Sequence, residues 1–530
     1  VTFIRHVSFG LFSILGAINV LLLFAVSSTA MEFTQLTTPR LRLIDVIQAT
    51  LAKQPVIILS KEQLNQSSAS IDLALAEFDW KLDTSLIHVT DYKPSGALLL
   101  YESIATTALD LRFNKKTKYG FTLEPGITFK SAYTDVINGA GNDSLNANTF
   151  RLFFNVNVPL LQGYGQQVTT ANETSARFLY EASRYELLHT ISLSANDTIS
   201  AYWDYTAAYE KLRHAITVEE RAISIVASTE SLVNADELAQ SELTSAQANL
   251  LEKKIAHEHA ELTLVATRQR LGLITGITDN ETTALQLPAD QLPNITSEIA
   301  LRALSARQYY FDKAYKNRGD LLALGQKTKS SEQLLLAAKD ATKPKLDLVA
   351  GIGYDGYQTG SQFKRVTQSV ENRQNAPDWS IGVRYSYPLE NRGANGNQAI
   401  IASQLNQAKI RQLDLQRTTE ITISSVLYSL QNVAREIEKA EMTVTSYQKS
   451  VDNEREKYLM GESTLFDLIF VQDRLDAAQL SKIDARYRGA LLLTRLQFEA
   501  GMMLDCHATD CELNADSVAI LLEPTKRNDP

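Results

Sequence analysis

Trp379-Ser380-Ile381-Gly382-Val383-Arg384-Tyr385-Ser386-Tyr387-Pro388-Leu389-Glu390-Asn391-Arg392-Gly393-Ala394-Asn395-Gly396 changes its period in the middle. Up to Tyr387, large apolar residues alternate with Ser380, Gly382, Arg384 and Ser386, the signature of a strand with one apolar face. Beyond the Pro388-Leu389 turn, residues 397–460 contain neither glycine nor proline. Helix interiors exclude both, so this run predicts one very long helix. Within it Ile423, Val426, Leu430, Val433, Ile437, Ala440, Val444, Tyr447 and Val451 keep a 3-4 spacing, and Tyr458 resumes it after Glu454. That is a heptad seam. At about 1.5 Å per residue, roughly 65 residues make a rod near 100 Å long.

The same order recurs upstream. Leu152, Phe154, Val156 and Val158 alternate with Arg151, Phe153, Asn155 and Asn157. Pro159-Leu160, Gly163 and Gly165 then precede residues 166–271, which again lack glycine and proline. Tyr119, Phe121, Leu123, Ile127 and Phe129 share one parity, as do Leu346, Leu348, Ile352 and Tyr354. Trp80, Leu82 and Leu86 predict a further strand, and Leu109, Leu111 and Phe113 a weaker one. Arg270-Leu271 with Gly276 matches Arg495-Leu496 with Gly501, and Leu243, Gln247 and Leu250 match Leu468, Gln472 and Leu475, all at an offset of 225 residues. A duplication of this size outweighs any single motif.

Composition sets the outer bounds. The 530 residues are 44% hydrophobic and 21% charged with a net charge of -9, which rules out dominant disorder and a chain-wide basic footprint for nucleic acid. Arg5 and His6 ahead of the apolar run Val7–Val26, with Ser27-Ser28-Thr29-Ala30 behind it, read as a signal peptide cleaved after Ala30. After residue 30 no apolar run of about 18 residues occurs, so a membrane crossing would use strands. The predicted organisation is a signal peptide (1–30), a first repeat (31–293, strands about 79–159, hairpin about 166–275), a second repeat (294–503, strands about 345–388, hairpin about 394–500) and a tail (504–530).

In these features the chain resembles the TolC-like outer-membrane efflux proteins over nearly all of residues 40–503. Lys53-Gln54-Pro55 and Asn317-Arg318-Gly319-Asp320-Leu321 sit where that family opens its two repeats. Ala337-Ala338-Lys339 with Lys343-Pro344-Lys345-Leu346 resembles the run into its third strand, and Tyr387–Gly393 its strand-to-helix turn. Tyr458-Leu459-Met460-Gly461 with Thr464 and Asp467-Leu468 resembles the turn at the far end of its second hairpin. Gly319 departs from the usual proline, Asn234-Ala235-Asp236 stands where the second half has Gly461, and roughly residues 94–150 form an insertion.

The resemblance implies a mainly α chain with a membrane β-barrel: a duplicated strand pair plus long helical hairpin, with three chains closing a 12-strand barrel continued by a long periplasmic α-helical tube. It implies an efflux or secretion exit duct in the outer membrane of a Gram-negative bacterium. Its implied partners are outer-membrane lipid, a periplasmic adaptor (membrane fusion) protein and an inner-membrane RND or ABC-type transporter. Physics gives the homotrimer separately. Unpaired sheet edges cannot face lipid, and four strands per chain fall short of the usual barrel minimum of about eight, whereas three chains supply about twelve.

The far tip of the second hairpin holds the candidate gate. Gly461 suits a reversal needing positive φ. The resemblance makes Asp467 one carboxylate of a ring at the periplasmic entrance, puts Phe470 where the family has a second acid, and gives Tyr458 a bracing role. From the residues alone, Asp467 is also a first-turn acid favoured by the helix dipole. Pro159, Gly165, Pro388 and Gly393 are the expected structural turns. Cys506 and Cys511 form a disulfide or, with His507 and either Asp505 or Asp510, bind a metal; the oxidising compartment favours the disulfide. No catalytic motif, cofactor signature or nucleic-acid module occurs, so an enzyme is not expected. The alternative class is a structural or adhesive coiled-coil surface protein, which the paired strands ahead of each rod disfavour.

Overall fold

The computed structural model describes residues 40–95, 100–138, 141–360, 376–507 and 510–513. The expected signal peptide and most of the expected tail lie outside these residues. The described residues from Leu41 onward form one compact unit.

The two breaker-free runs are long helices, and each turns back on itself. In the first half, α1 (Leu43–Lys53) and α2 (Pro55–Leu75) lead into four strands, β1 (Lys81–Ser95), β2 (Leu100–Lys116), β3 (Thr122–Asn138) and β4 (Gly141–Pro159). The short α3 (Gln166–Thr169) then starts the hairpin of α4 (Ala171–Asn234) and α5 (Gln240–Thr275). After α6 (Asp279–Thr283), α7 (Ser297–Ser305) and α8 (Arg307–Asn317), the second half repeats the order. It has α9 (Gly319–Asp340), β5 (Lys345–Thr359), β6 (Ala376–Ser386) and the hairpin of α10 (Arg392–Leu459) and α11 (Leu465–Glu499). A small ladder of β7 (Leu504–His507) and β8 (Asp510–Leu513) follows.

The 225-residue offset is a three-dimensional equivalence. α4 ends at Asn234 and α10 at Leu459, while α5 and α11 end on the left-handed glycines Gly276 (φ +77) and Gly501 (φ +64). Each glycine is pressed against the start of its own repeat. A Cβ on Gly276 would lie 2.9 Å from the Lys53 carbonyl oxygen, and one on Gly501 would lie 2.9 Å from the Arg318 nitrogen. Gly319 has its own steric reason: a Cβ there would meet the Tyr185 carbonyl oxygen of α4 at 2.5 Å.

The hydrophobic core lies where both hairpins meet the short connecting helices. Ile199, Tyr202, Trp203 and Tyr205 of α4 join Leu43 and Ile47 of α1, Leu271 of α5, Leu292, Ile295, and Ile423 and Leu427 of α10, all buried. Side chains of this kind each contribute roughly 1.5–3 kcal/mol when taken from water. The Tyr202 hydroxyl is satisfied inside this core, donating to Asp290 Oδ2 at 2.6 Å and to the Leu41 carbonyl at 2.9 Å. Burial first, and then the Asp290 carboxylate, push its pKa far upward.

All six long strands form one antiparallel sheet in the order β1-β2-β3-β4-β5-β6. This corrects the strand count. The barrel argument took two strands per half, whereas all four strands that alternation marked in the first half lie in the one sheet with β5 and β6. Gly393 also differs from its expected place. It is helical, and the left-handed residue of that turn is Asn391, with φ +44.

Candidate functional site

Two regions carry chemistry, the sheet and the hairpin tips. Register puts the alternating apolar residues of every strand on one face. Trp379 is paired with Ile352, Ile352 with Phe154, Tyr354 with Leu152, Leu152 with Ile127, and Ile127 with Leu111. Phe129, Leu109 and Leu86 continue the band to β1. In the single chain it is open to solvent: Trp379 is 77% exposed and Val383 67%. The other face is mostly polar and bonded to itself. Arg151 reaches Asp378 at 2.8 Å and Asp355 at 3.4 Å, Thr128 bonds Asp110 at 2.6 Å, and Asn114 bonds Asp83 at 2.6 Å. Ile87, Val89, Ile104, Phe153 and Val349 are apolar side chains on that face. β1 and β6 each pair on one side only.

At the second tip the chain reverses through Gly461 (φ +76), and Thr464 caps the returning helix. The Asp467 N–H donates to the Thr464 hydroxyl at 3.2 Å, and that hydroxyl donates to Asp467 Oδ2 at 2.6 Å. Asp467 is therefore a capping acid whose carboxylate still faces solvent. Phe470, three residues on, shares its face and is 49% exposed. Its ring lies 5.0 Å from the Arg474 guanidinium, a cation–π contact that sequence reasoning missed although the i, i+4 spacing carried the signal. Glu454 accepts from Ser463 across the turn and lies beside Lys457; these two partners hold its carboxyl below the usual range. The Tyr458 hydroxyl is buried without a hydrogen-bond partner among the described residues.

Four arginine or lysine ion pairs join the first hairpin to α11 along its length toward the tip: Arg486–Glu210 at 3.8 Å, Lys211–Asp484 at 2.6 Å, Arg221–Asp476 at 2.7 Å and Lys253–Asp473 at 2.6 Å. No periodic rule marks such partners, and only the packing of the two hairpins pairs them. His257 of α5 bonds Glu219 of the neighbouring helix at 2.5 Å. Arg318 and Asp320 of the Arg-Gly-Asp tripeptide are structural. Arg318 Nε donates to Asp320 at 2.9 Å, and its other nitrogen pairs with Glu499 at the end of α11.

The expected turn residues fall at the sheet-to-helix junctions: Pro159 ends β4, Gly165 (φ +98) precedes α3, and Pro388 lies between β6 and α10. Cys506 and Cys511 are direct partners in the β7–β8 register. No group of three or more metal-ligating side chains and no single helix long and apolar enough to cross a membrane occur among the described residues.

With this geometry in view, residues 311–501 match the model of the outer membrane efflux protein family. No curated protein sequence matches the chain. Among solved structures it is similar to a membrane protein from Pseudomonas aeruginosa at 12% identity, covering 88% of this chain and 92% of that one with a TM-score of 0.64. It is similar to the outer membrane protein VceC from Vibrio cholerae at 14% identity, with 87% and 96% covered and a TM-score of 0.61. The Campylobacter jejuni CmeC outer membrane channel follows at 16% identity, with 87% and 85% covered and a TM-score of 0.60. The mainly helical fold is thus that of these outer-membrane proteins, and over residues 311–501 the family read from the sequence is the family matched.

Proposed function

We propose that this chain, whose second repeat carries the outer membrane efflux protein domain, is an outer-membrane exit channel for efflux or secretion. The six-stranded sheet is the observation that carries this reading. One face is an apolar band, the other is polar, and both edges are unpaired. An apolar face this wide needs lipid or a partner, and open edges in lipid cost several kcal/mol per unpaired group. Three copies side by side close a barrel of about eighteen strands, with the polar face lining an aqueous lumen. This count replaces the twelve of the sequence reading. Strands of 11–19 residues exceed the roughly ten needed to cross at a tilt.

The hairpins then extend into the periplasm as a helical tube. A periplasmic adaptor couples the tube to an inner-membrane RND or ABC-type transporter, which supplies the energy. The chain itself binds and orders rather than reacts; no nucleophile–base pair is part of this reading. The Arg151–Asp378 pair and its neighbours would set the charge of the lumen. At the periplasmic end, Asp467 of three copies forms a carboxylate ring with Phe470 beside it, and the Arg474 guanidinium covers the ring of Phe470. A mouth lined by three carboxylates attracts cations. The adhesive coiled-coil reading has no use for the apolar band.

Single-channel recording in planar bilayers tests this. The trimer should give a stable conductance. Asp467→Asn should lower cation preference and relieve cation block, and Phe470→Ser should loosen the closed state. If conductance is present but both variants match the parent, the constriction lies elsewhere. Absence of any conductance from correctly folded trimer sinks the channel reading.

A further inference from the structure

The apolar band of the sheet stops short of the strand ends. On β4 it runs from Val158 to Phe150, about 26 Å along the strand and about 20 Å across a membrane at a 40° tilt, close to the roughly 25 Å apolar belt of outer-membrane barrels. Its last row is Leu86, Leu109, Phe129 and Phe150. The next row on the same face is polar from β1 to β5: His88, Thr107, Ser131, Asn148 and Gln358 are successive partners in register. β1 to β4 continue past this row, away from the helical hairpins.

Beyond that row the face forms a shallow basin. Ala105 lies opposite Thr90 on one side and Tyr133 on the other, so its small side chain makes a floor between larger neighbours. Tyr92, next but one to Thr90 in β1, shares the face. At the near edge, His88 Nδ1 and the Thr107 hydroxyl are bonded at 2.8 Å. Tyr92 is 70% exposed and Tyr133 40%. Tyr133 stands about 13 Å along β3 from Phe129, or about 10 Å above the band, farther out than an aromatic girdle at the band's edge. The basin is about 10 Å wide across three strands and about 13 Å long from His88 to Tyr92, the size of a few sugar rings. It offers two phenol rings, hydroxyls and an imidazole, and no fixed charge. A phenol has an apolar body and a polar tip, which suits the C–H face and hydroxyl rim of a sugar, whereas a phosphate calls for Arg or Lys.

We propose that this basin binds the saccharide headgroup of an outer-leaflet glycolipid. Tyr92 and Tyr133 stack on its sugar rings, and the His88–Thr107 pair bonds its hydroxyls. Position names the source: the basin adjoins the apolar band on the side away from the hairpins, where the headgroups of the outer leaflet lie. The inference rests on reading the sheet as a membrane barrel, and its test separates the two.

The full-length protein is placed in nanodiscs of phosphatidylethanolamine and phosphatidylglycerol, first alone and then with core-bearing lipopolysaccharide as a minor component. Native mass spectrometry counts the lipopolysaccharide retained per particle. Retention above its bulk fraction is expected, and it should survive raised salt. Tyr92→Ser and Tyr133→Ser, both at exposed positions, should each cut the enrichment at least fivefold, and His88→Ala by a smaller factor. Tyr385→Ser, which removes an exposed tyrosine at the hairpin end of the same face, should leave it unchanged. No enrichment in inserted protein overturns the proposal, as does undiminished enrichment in both Tyr92→Ser and Tyr133→Ser. An equal loss in Tyr385→Ser would mean a general girdle effect, and loss in raised salt would mean phosphate attraction; either overturns it. Failure to insert into the phospholipid nanodisc sinks the barrel reading and this proposal with it, before any glycolipid is added.

Discussion

The two hairpin tips have the same backbone and different chemistry. Asp236 (φ +59) and Gly461 (φ +76) stand 225 residues apart and make the same left-handed reversal. Ala239 precedes α5 without a side-chain cap, whereas Thr464 caps α11 and locks Asp467 beneath it. The first turn has no aromatic at the position of Phe470, where Ser245 stands. Duplication has preserved the geometry of reversal while only one copy keeps the carboxylate-plus-aromatic pair. Fold and proposed gate are therefore separable: the turn needs a left-handed residue, and the proposed gate uses what lies one turn beyond it.

The largest effect should appear at the opposite end, where the halves also diverge. Arg318 is mostly buried between Asp320 and Glu499, while its counterpart Gln54 makes a neutral bond to the Ile274 carbonyl at 2.6 Å. Removing one partner of a buried ion pair strands a charge, at a cost of about 3 kcal/mol or more. Glu499→Leu should lower the thermal midpoint by several degrees, and Gln54→Ala, at about 1 kcal/mol, much less. Equal shifts in the two variants would mean that the halves are anchored alike.

At the tips, Gly461→Val forces a β-branched residue into left-handed space and should cost about 1–2 kcal/mol, read as faster proteolysis confined to residues 459–465. Asp236→Gly should leave the first tip unchanged or slightly firmer. A first tip that loosens as much would show that Asp236 holds its turn by side-chain contacts.

A smaller effect depends on pH. Burial holds the His214 pKa below its ordinary value against the pull of Asp476, with Arg221 and Lys253 adding to the depression. A depressed histidine contributes stability above its unfolded pKa of about 6.5 and loses it as pH falls through the lower folded value. The contact of α4 with α11 should loosen on acidification below about pH 6.5, seen as increased hydrogen exchange, corrected for intrinsic rates, around residues 210–221. His214→Gln should abolish that step. The smallest effect concerns the tail: non-reducing mass spectrometry should find Cys506 joined to Cys511, as their opposed register favours, with no change in assembly when both become serine.

Much of this was legible. Absence of glycine and proline located α10 to within a few residues, whereas the first breaker-free run covers α4, its turn and most of α5, because Asp236 makes that reversal without a glycine. Period two found all six strands of the large sheet, even β1 and β2, but not the short β7 and β8, and it could not count those sharing one sheet, since alternation describes a face and not its neighbours. The residues proposed as a gate were read through resemblance. Asp467 as a capping acid followed from its place in the first turn, and the Arg474 contact lay in an i, i+4 spacing, but the interhairpin ion pairs depend on how two hairpins lie together. No residue spacing along one chain encodes that juxtaposition.

The central claim is that three six-stranded sheets close one barrel. The mass of the protein particle extracted in mild detergent tests it most directly, by native mass spectrometry with lipid and detergent stripped. The account predicts a single species of three chains, resistant to dissociation until heated. A stable, folded monomer with its sheet intact would contradict it, because the unpaired edges of β1 and β6 and the apolar band would then need no partner.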